Sequence, residues 1–560
     1  VKEYGMKGRY SESHECGRAY IADGMDVKRT STVPMSACWI DAGSASMAAA
    51  DIRESASVAH IYGQNIVAAE SLTAHGTSQS AYKYTPRVLK STADWEMAHG
   101  VNRFVIHESA HQPLDDVFPG LGLGPYGQWF NRHETWAEEA KAWTDYLARS
   151  CYMLQRGKAV ADILVYYGED SNVCAEVSVS EMPGFIPAGY NYDYAGPTVI
   201  KNELGVKNGR LTAGNMEYSV LYLDENSERM SVSVLGKLVE LASKGAVICG
   251  HAPKAPAGMM DDPQEWNSLM DKLKTLKNVH FEEPLYTVLN NAGIVPDIMF
   301  QPEENILFVH RSLPGTDIYW INRPGTKGQA MEILFRQTGK DVSVWHPETG
   351  KIEEVPFRTE GGMTVVSLDL APDDAIFVVF SGKAAAEAKT VKPANVRTAV
   401  TVEGQWNVTL REKKKGARGF GASKTFDLEN LMPLTDSSDP DVRYFSGKAD
   451  YSATFKMEAA KDGERIFLDL GDVRDIAVVK VNGTPCGTIW KLPYKTDITD
   501  ALKPGENQLE ITVINPWHNR LVRDSQSPSA ETFTSYKFFD AASPLLPSGL
   551  LGPVTVSITE

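Results

Sequence analysis

The chain has 560 residues, of which 42% are hydrophobic and 23% charged, and its formal net charge is 56 − 72 = −16. This ordinary globular composition excludes a disordered, collagen-like or disulfide-dense chain, and the length suggests about three to four domains. The negative charge argues against nucleic acid or an anionic membrane surface as the main partner, because binding phosphates requires clustered Lys and Arg.

The chain contains no run of about 18 apolar residues, so we expect no membrane-spanning helix. It opens with VKEYGMKGRY, which has neither an initiator Met nor a signal segment, and this predicts a removed leader or a fragment. The six cysteines show no CxxC and no zinc-ligand spacing, so we expect isolated thiols. They are Cys16, Cys38, Cys151, Cys174, Cys249 and Cys486.

Residues 1–157 alternate short strands with helices. The predicted strands are Arg9–Ser13, Val33–Trp39, Asn65–Glu70 and Asn102–His107; the predicted helices are Ala45–Tyr62, Thr92–His99 and a long helix with Trp136, Ala140, Trp143, Leu147, Cys151 and Leu154 on one face. Strands separated by helices predict a parallel sheet with right-handed crossovers. A doubly wound sheet and the later half of a (β/α)₈ barrel both fit this pattern.

Three further segments follow. Residues 158–295 are predicted to form a second α/β domain, because VADILVYYG, YSVLYLDEN and GAVICG are uninterrupted apolar runs of the kind found in buried parallel strands. Residues 296–382 alternate as in a small β-sandwich, and Lys383–Lys392 resembles a charged linker. Residues 399–560 contain many short strands, which indicates a β jelly roll.

Carboxylates, aromatic rings and imidazoles recur at the ends of the first four predicted strands, where parallel α/β domains place their sites. They are Glu12, His14 and Glu15 after the first strand, Trp39 and Asp41 after the second, Glu70 after the third, and His107, Glu108 and His111 after the fourth. Cleavage of a glycosidic bond uses two carboxyl groups, one to protonate the leaving oxygen and one to activate water or attack carbon. The pattern therefore predicts a glycoside hydrolase with Glu70 and Glu15 as catalytic candidates. The predicted sugar contacts are Glu12, His14, Trp39, His107, Glu108 and His111.

Simpler interpretations stand beside these. Each Glu at a strand end also fits a solvated loop residue or a helix cap. His107 and His111 have HxxxH spacing, which fits a metal pair, and Asp115 and Asp116 are candidate calcium ligands. Trp490 and Trp517 are expected to pack between elements rather than to bind sugar, and Cys249 is expected to be a buried thiol.

Several long motifs resemble glycoside hydrolase family 106, the α-L-rhamnosidases. They are HIYGQNIVAAESLTAHG, LKSTADWEMAHGVNRFVIHESAHQP and PGLGLGPYGQWFNRHETW, and the similarity continues to NPWHNRLVRD and SGLLGPVTVSI, so it covers nearly the whole chain. The resemblance implies the last four strands of a (β/α)₈ barrel with appended β modules, the last of them a galactose-binding-like jelly roll. It also implies an inverting mechanism on terminal α-L-rhamnose, assistance from calcium, and a periplasmic or secreted location.

By this resemblance, Glu70 lies in the AAE motif where the catalytic carboxylate is expected. The segment VPMSACW resembles a strand that carries Glu in many members, whereas this chain has Ala37 there. The second carboxylate is then Glu15 or Glu12, or lies on the absent half of the barrel, so we expect this chain alone to be inactive. Two other functions stay open, namely a non-catalytic carbohydrate-binding or scaffold protein and a barrel glycosidase of other specificity, such as a β-galactosidase.

Overall fold

The computed structural model describes residues 10–12, 23–40, 45–127, 130–169, 185–301, 304–325, 327–391, 395–527 and 531–559. Helices and strands are labelled here in chain order. Within these ranges no helix combines the length and the apolar character needed to cross a membrane. The chain forms a mixture of α/β and all-β units, as the sequence predicts.

The first unit is a parallel four-stranded sheet whose strands follow one another in chain order. The strands are β1 (Tyr10–Glu12), β2 (Val33–Trp39), β3 (Ala68–Thr73) and β4 (Arg103–Ile106), and the helices are α1 (Gly24–Lys28), α2 (Ala45–Ile61), α3 (Pro86–His99) and α4 (Lys141–Leu154). A two-residue strand, β5 (Pro119–Gly120), lies in the loop after β4. The order β1-β2-β3-β4 suits a barrel segment as well as an open sheet.

Several predicted boundaries in this unit are wrong. The strand that contains Glu70 runs from Ala68 to Thr73 rather than from Asn65 to Glu70, and α3 begins at Pro86 rather than at Thr92. Helix α4 begins at Lys141, whereas Trp136 and Ala140 were expected inside it. The preceding residues form consecutive turns with i→i−3 hydrogen bonds, such as Glu139 N to Trp136 O at 3.0 Å. Trp136 still packs against Trp143, with ring centroids 6.2 Å apart.

The second unit is a parallel five-stranded sheet of order β14-β13-β12-β7-β8. The strands from here to β14 are β6 (Lys158–Ala159), β7 (Ile163–Tyr166), β8 (Tyr192–Ala195), β9 (Gly205–Lys207), β10 (Arg210–Ala213), β11 (Met216–Tyr218), β12 (Val220–Leu223), β13 (Val247–Gly250) and β14 (Val279–Phe281). Helices α5 (Val232–Ser243), α6 (Pro263–Lys274) and α7 (Leu285–Asn291) accompany the sheet. Strand β6 instead pairs with β16 of the next unit.

The third unit is a β-sandwich with sheets β15-β18-β22-β21-β24 and β20-β19-β23-β17-β16-β6. Its strands are β15 (Ile298–Met299), β16 (Leu307–Leu313), β17 (Thr316–Arg323), β18 (Gln329–Phe335), β19 (Asp341–Trp345), β20 (Ile352–Glu354), β21 (Phe357–Glu360), β22 (Met363–Leu370), β23 (Asp374–Ser381) and β24 (Ala388–Lys389). Because β24 pairs with β21, part of the predicted linker belongs to the sandwich.

The fourth unit packs sheet β25-β37-β29-β33 against sheet β27-β26-β28-β34-β31-β32. Its strands are β25 (Val396–Thr401), β26 (Trp406–Lys413), β27 (Phe420–Leu428), β28 (Gly447–Met457), β29 (Arg465–Asp469), β30 (Asp472–Arg474), β31 (Ile476–Val481), β32 (Thr484–Ile489), β33 (Lys495–Asp497), β34 (Gly505–Asn515), β35 (Phe533–Thr534), β36 (Gly549–Gly552) and β37 (Thr555–Thr559). Its helices are α8 (Pro440–Arg443) and α9 (His518–Ser525).

One apolar cluster joins the first, third and fourth units. It contains Trp136 and Trp143 of the first unit, Trp320 of the sandwich, and Trp490 and Trp517 of the fourth unit. Trp517 donates from Nε1 to the carbonyl of His133 at 3.0 Å. Both Trp490 and Trp517 are buried, which confirms the prediction that they serve packing.

Candidate active site

Glu70 lies in the middle of β3, opposite Ala37 of β2 and Val105 of β4. Leu72 adopts a positive φ of 62°. The pairing of β3 with β2 shifts by one residue at this point, so that Thr73 lies opposite Trp39. Such a bulge inserts one extra residue and redirects the side chains that follow it. The bulge therefore brings Thr73 onto the face that carries Glu70.

Helices α2 and α3 cover only one face of this sheet. Ala69, which precedes Glu70, packs with Cys38 of β2, Ile52 of α2 and Trp95 of α3. Side chains alternate along a strand, so Glu70 projects from the opposite face, away from the helices. Glu70 is half-buried there, which leaves its carboxylate accessible to a small molecule.

A hydroxyl group holds this carboxylate. Thr73 Oγ1 donates a hydrogen bond to Glu70 Oε1 at 2.6 Å. The two residues are three positions apart in sequence, and the bulge between them allows their side chains to meet. The sequence pattern did not identify Thr73, since a regular strand would point residues three apart to opposite faces.

Aromatic side chains lie next to this pair. The ring of Tyr126 stacks on His75 at 5.3 Å with an interplanar angle of 29° and meets Trp39 edge-on at 5.7 Å. His75 and Tyr126 also form an antiparallel bridge, which ties the loop after β4 to the loop after β3. Trp39 was predicted as a site residue, whereas His75 and Tyr126 were missed because both lie in irregular loops.

The loop after β4, which carries Glu108, lies against the residues that follow Glu70. The backbone N–H of His107 donates to the carbonyl of Ser71 at 3.1 Å, and that of Gly127 donates to the carbonyl of Ala74 at 3.0 Å. A Cβ on Gly127, whose φ is +116°, would lie 3.0 Å from Cγ of Glu108. Glycine at this position therefore allows Glu108 to pack closely under the loop that carries Tyr126.

The remaining predicted residues are less defined. His111 is exposed farther along the loop, and within the described ranges no hydrogen bond or ring contact joins it to Glu70. The backbone of Glu12 lies in β1, in register with Met35. His14, Glu15 and Asp41 lie outside the described residues, so their roles stay predictions.

A second carboxyl group lies beneath β3, on the side of the helices. Glu96 of α3 is fully buried, and its Oε2 accepts a hydrogen bond from Ser71 Oγ at 2.6 Å. Burial raises the pKa of Glu96 to about 8, against the opposing effects of hydrogen bonds from Ser71 and Cys38. Glu96 is therefore a neutral acid near pH 7 and supports the strand from behind.

Strand β2 is held at Ala37, the position at which the family resemblance implies Glu. The backbone N–H of Ala37 donates to Asp51 Oδ2 of α2 at 3.0 Å. Asp51 forms a buried ion pair with Lys28, which also contacts Glu54 at 3.0 Å. Burial raises the pKa of Glu54 to about 7. The hydrogen bond to Asp51 fixes the backbone of Ala37. None of these charged groups replaces the glutamate side chain that the family resemblance implies at this position.

The candidate metal ligands do not come together. Asp115 pairs with Arg132 at 2.7 Å, and the backbone carbonyl of Asp116 accepts from the N–H of Gly416 at 3.1 Å. In the part of the chain that the structure describes, no group of three His, Cys, Asp or Glu side chains is arranged to hold a metal ion. Cys249 is buried, and burial raises the pKa of its thiol to about 12, as expected for an inert thiol.

Glu70 lies within a parallel strand, and the aromatic residues near it lie at or after the carboxyl ends of β2, β3 and β4, the edge at which barrel enzymes place their sites; glycosidases use carboxyl groups of this kind. The sequence profile of glycoside hydrolase family 106, described as alpha-L-rhamnosidase, matches residues 1–359. The chain belongs to this family, which confirms the resemblance seen in the sequence. A second profile, the galactose-binding domain-like unit of family 2 glycosyl hydrolases, matches residues 429–542.

Two known proteins give the scale of the similarity. A rhamnosidase structure from Novosphingobium sp. PP1Y is 38% identical, with a TM-score of 0.90, over 98% of this chain and 53% of that chain. A protein of Formosa agariphila whose name proposes a beta-glucuronidase is 25% identical over 90% of this chain and 64% of its own length. This chain thus spans about half of the solved rhamnosidase and less than two thirds of the Formosa protein.

Proposed function

We propose that this chain forms part of a glycoside hydrolase that removes terminal α-L-rhamnose from glycans or glycosides. The observation that carries the proposal is Glu70, whose carboxylate lies on the face of the sheet opposite α2 and α3 and accepts a hydrogen bond from Thr73. Membership of a family of α-L-rhamnosidases supports rhamnose as the sugar. Trp39 offers an apolar face near Glu70, and the other predicted contacts to sugar hydroxyls are His14, His107, Glu108 and His111.

The four-stranded sheet is proposed to be half of a (β/α)₈ barrel. Its strands are parallel and follow the chain order, as in such a barrel. Among the described residues, β4 is the last strand of the sheet on one side and pairs only with β3. An unpaired edge of this kind fits a sheet that continues, so the complete site is proposed to need the remaining strands.

The spacing of the strands favours β1 over β4 as the source of the second carboxylate. Neighbouring strands lie about 4.8 Å apart, so β4 is about 5 Å from β3 and β1 is about 10 Å away. Inverting glycosidases separate their carboxyl groups by roughly 6.5–9.5 Å to leave room for water. Glu15, which follows β1, therefore suits an inverting partner of Glu70 better than Glu108 does, and Glu12 is the alternative.

In the proposed reaction, Glu70 accepts a proton from water as the water oxygen attacks the anomeric carbon. Glu15 donates a proton to the glycosidic oxygen as the bond to that carbon breaks. Proton transfer by a positioned side chain contributes about 10²–10⁴-fold to such rates. The described residues offer no clustered set of metal ligands, so no step is assigned to the calcium that the family resemblance implies.

A specific observation favours one other function. Ala37 lies directly opposite Glu70 in the sheet, so β2 supplies no carboxylate at the level of Glu70. A protein with a single carboxylate at this level would bind a glycan without hydrolysing it. This alternative predicts glycan binding without turnover.

The test is a panel of aryl glycosides incubated with a full-length parent protein. We expect the aryl α-L-rhamnoside to have the highest kcat/KM, well above the aryl β-glucuronide and the aryl β-galactoside. Higher kcat/KM on either of the others would replace rhamnose as the substrate. Glycan binding with no turnover of any member of the panel would support the binding protein.

A further inference from the structure

The fourth unit sends one segment across the loops of the candidate site. This strap, residues 531–546, begins beside α9, where Asp524 accepts hydrogen bonds from the backbone N–H and from Oγ1 of Thr532 at 3.1 and 2.6 Å. Strand β35, within the strap, pairs in parallel with β5 of the loop after β4. The strap is therefore part of the fourth unit in sequence, and it pairs with the loop after β4 of the first unit.

The contacts of the strap with the loops are specific. The backbone N–H of Phe533 donates to the carbonyl of Phe118 at 2.7 Å. Ser535 Oγ accepts from the N–H of Gly122 at 2.9 Å and donates to the carbonyl of that residue at 3.1 Å. Farther along, Phe538 meets Tyr82 of the loop after β3 at 6.1 Å. The strap is thus fixed to the loops after both β3 and β4.

Apolar side chains are exposed along this junction. Phe533 is 48% exposed and Tyr536 43%, and in the neighbouring loop Leu123 is 53% and Tyr126 43% exposed. Leu123 and Tyr126 form an antiparallel bridge, so their side chains share a face. The strap, which is hydrogen-bonded to the same loop at Gly122, thus exposes apolar side chains on a segment adjoining the one that exposes Leu123 and Tyr126, and exposed apolar side chains that adjoin one another mark binding surfaces.

The exposed cluster continues from the candidate site without a break in contacts. Tyr126 stacks on His75 and meets Trp39, and the loop that carries Tyr126 is joined through Gly122 to the strap. A glycoside that places its terminal sugar at Glu70 must extend its leaving group out of the site. The strap and the loop after β4 are segments that these contacts join to the aromatic residues near Glu70.

We propose that the strap of the fourth unit supplies the subsite for the leaving group, with Phe533 and Tyr536 as stacking side chains beside Tyr126. The ligand is a ring with an apolar face, either an aromatic aglycone or the sugar next to the terminal one. An aromatic side chain buries a large apolar face against such a ring, and pairs of aromatic rings prefer offset-stacked or edge-to-face arrangements. This inference rests on the proposed function, since the leaving group is defined by cleavage at Glu70.

The test compares substrates that share a glycosyl group and differ in the leaving group. In a full-length parent protein, kcat/KM is measured for a bicyclic aryl rhamnoside, for a disaccharide with terminal rhamnose, and for α-L-rhamnosyl fluoride, whose leaving group is too small to reach the strap. A stacked ring contributes about three- to tenfold in binding. In Phe533→Ala and Tyr536→Ala, we expect the ratio of kcat/KM for the aryl substrate or the disaccharide to that for the fluoride to fall by this factor.

The outcomes separate the possibilities. A fall for the aryl substrate alone identifies an aromatic aglycone, and a fall for the disaccharide alone identifies a sugar. Tyr536→Phe keeps the ring and should keep the ratio, and Tyr286→Ala, at an exposed tyrosine of α7, is the matched control. An unchanged ratio in both alanine variants would overturn the subsite. If the parent cleaves another glycosyl fluoride instead, rhamnose fails as the substrate and the same ratios are measured with that sugar.

Discussion

At the scale of single residues, the pair Glu70 and Thr73 is the part of the molecule on which the proposed chemistry depends. The hydrogen bond of 2.6 Å fixes one oxygen of the carboxylate, and among the described residues no hydrogen bond is made to the other oxygen. The sequence predicts Glu70, because a carboxylate directly after the apolar run NIVAA lies where parallel α/β domains place their sites. It does not predict Thr73, because the bulge at Leu72 arises from sheet pairing and not from a local motif.

Replacing Glu70 by Gln in a full-length parent should lower kcat by about 10²–10⁴-fold with little change in Tm. Thr73→Val keeps the shape but removes the donor, so we expect a smaller loss of about two- to tenfold, the value of one hydrogen bond. Glu217→Gln, at an exposed glutamate of β11, is the control. Near-normal hydrolysis by Glu70→Gln would contradict the assignment, and a collapsed Tm would make the residue structural.

His310, in the sandwich, is a buried imidazole between two carboxylates. Its Nδ1 lies 2.7 Å from Asp297 Oδ2 and its Nε2 lies 2.9 Å from Asp317 Oδ1, while the ring stacks on Tyr319 at 4.0 Å. Carboxylates accept hydrogen bonds and do not donate them, so both ring nitrogens carry protons. Burial opposes the charge, but the two carboxylates prevail and raise the pKa of His310.

The raised pKa predicts a pH dependence of stability. The contribution of His310 is fully present below the ordinary histidine pKa of about 6.5 and is lost as the pH rises through the raised value. His310→Gln should lower the free energy of unfolding by about 3 kcal/mol at pH 6, with a smaller difference at pH 9. Urea unfolding at both pH values, with His111→Gln as the exposed control, measures the difference. An equal loss at both pH values would show that the ring is neutral.

At the scale of elements, the sequence predicts strands better than the breaks within them. β2 has the predicted bounds Val33–Trp39, and α2 and α3 end before Gly63 and Gly100 as the glycine stops indicate. The start of α4 was placed too early because Trp136 and Ala140 keep helical spacing while the backbone forms i→i−3 turns. Patterns of apolar residues report which side chains are buried and do not distinguish these two backbones.

The packing of α3 against β3 yields a prediction that involves Glu96. Burial raises the pKa of Glu96 to about 8. The contribution of Glu96 to the free energy of unfolding is therefore fully present below about pH 4.5 and is lost as the pH rises through 8. Glu96→Gln removes the ionisable group but retains an acceptor for Ser71. We expect it to raise the free energy of unfolding by up to about 3 kcal/mol at pH 7 and to leave it unchanged at pH 4.

Denaturant unfolding of the wild type and of Glu96→Gln at these two pH values measures this difference. Glu217→Gln, whose carboxylate is exposed, should show no such gain. A loss of stability in Glu96→Gln at both pH values would mean that the amide does not fit the site, and a gain that does not depend on pH would exclude the raised pKa as its cause.

At the scale of the whole molecule, the site depends on the unit most distant from it in sequence. The carbonyl of His133, in the turns that follow the loop after β4, accepts the indole N–H of Trp517 from the fourth unit. Composition and strand pattern predict that unit as a separate β module, and they contain no information on the strap or on the cluster of tryptophans, because contacts between residues hundreds of positions apart leave no periodic signal.

Two buried tryptophans allow the dependence to be measured. Trp517 donates to His133 in the cluster between units, and Trp266 of α6 donates to the carbonyl of Met230 at 2.8 Å within the second unit. Replacing either by Ala should cost about 3–5 kcal/mol. Only Trp517→Ala should loosen the turns before α4 and the loop after β4, because of these two indoles only that of Trp517 contacts them.

Limited proteolysis of both variants, read by mass spectrometry, distinguishes the two effects. We expect early cleavage within residues 107–140 in Trp517→Ala and within residues 255–285 in Trp266→Ala. In a full-length parent, Trp517→Ala should also lower kcat/KM while Trp266→Ala leaves it near the wild-type value, since the loop after β4 carries Tyr126 and Glu108. The same cleavage pattern in both variants would mean that the four units unfold together and that Trp517 does not by itself stabilise the loop after β4.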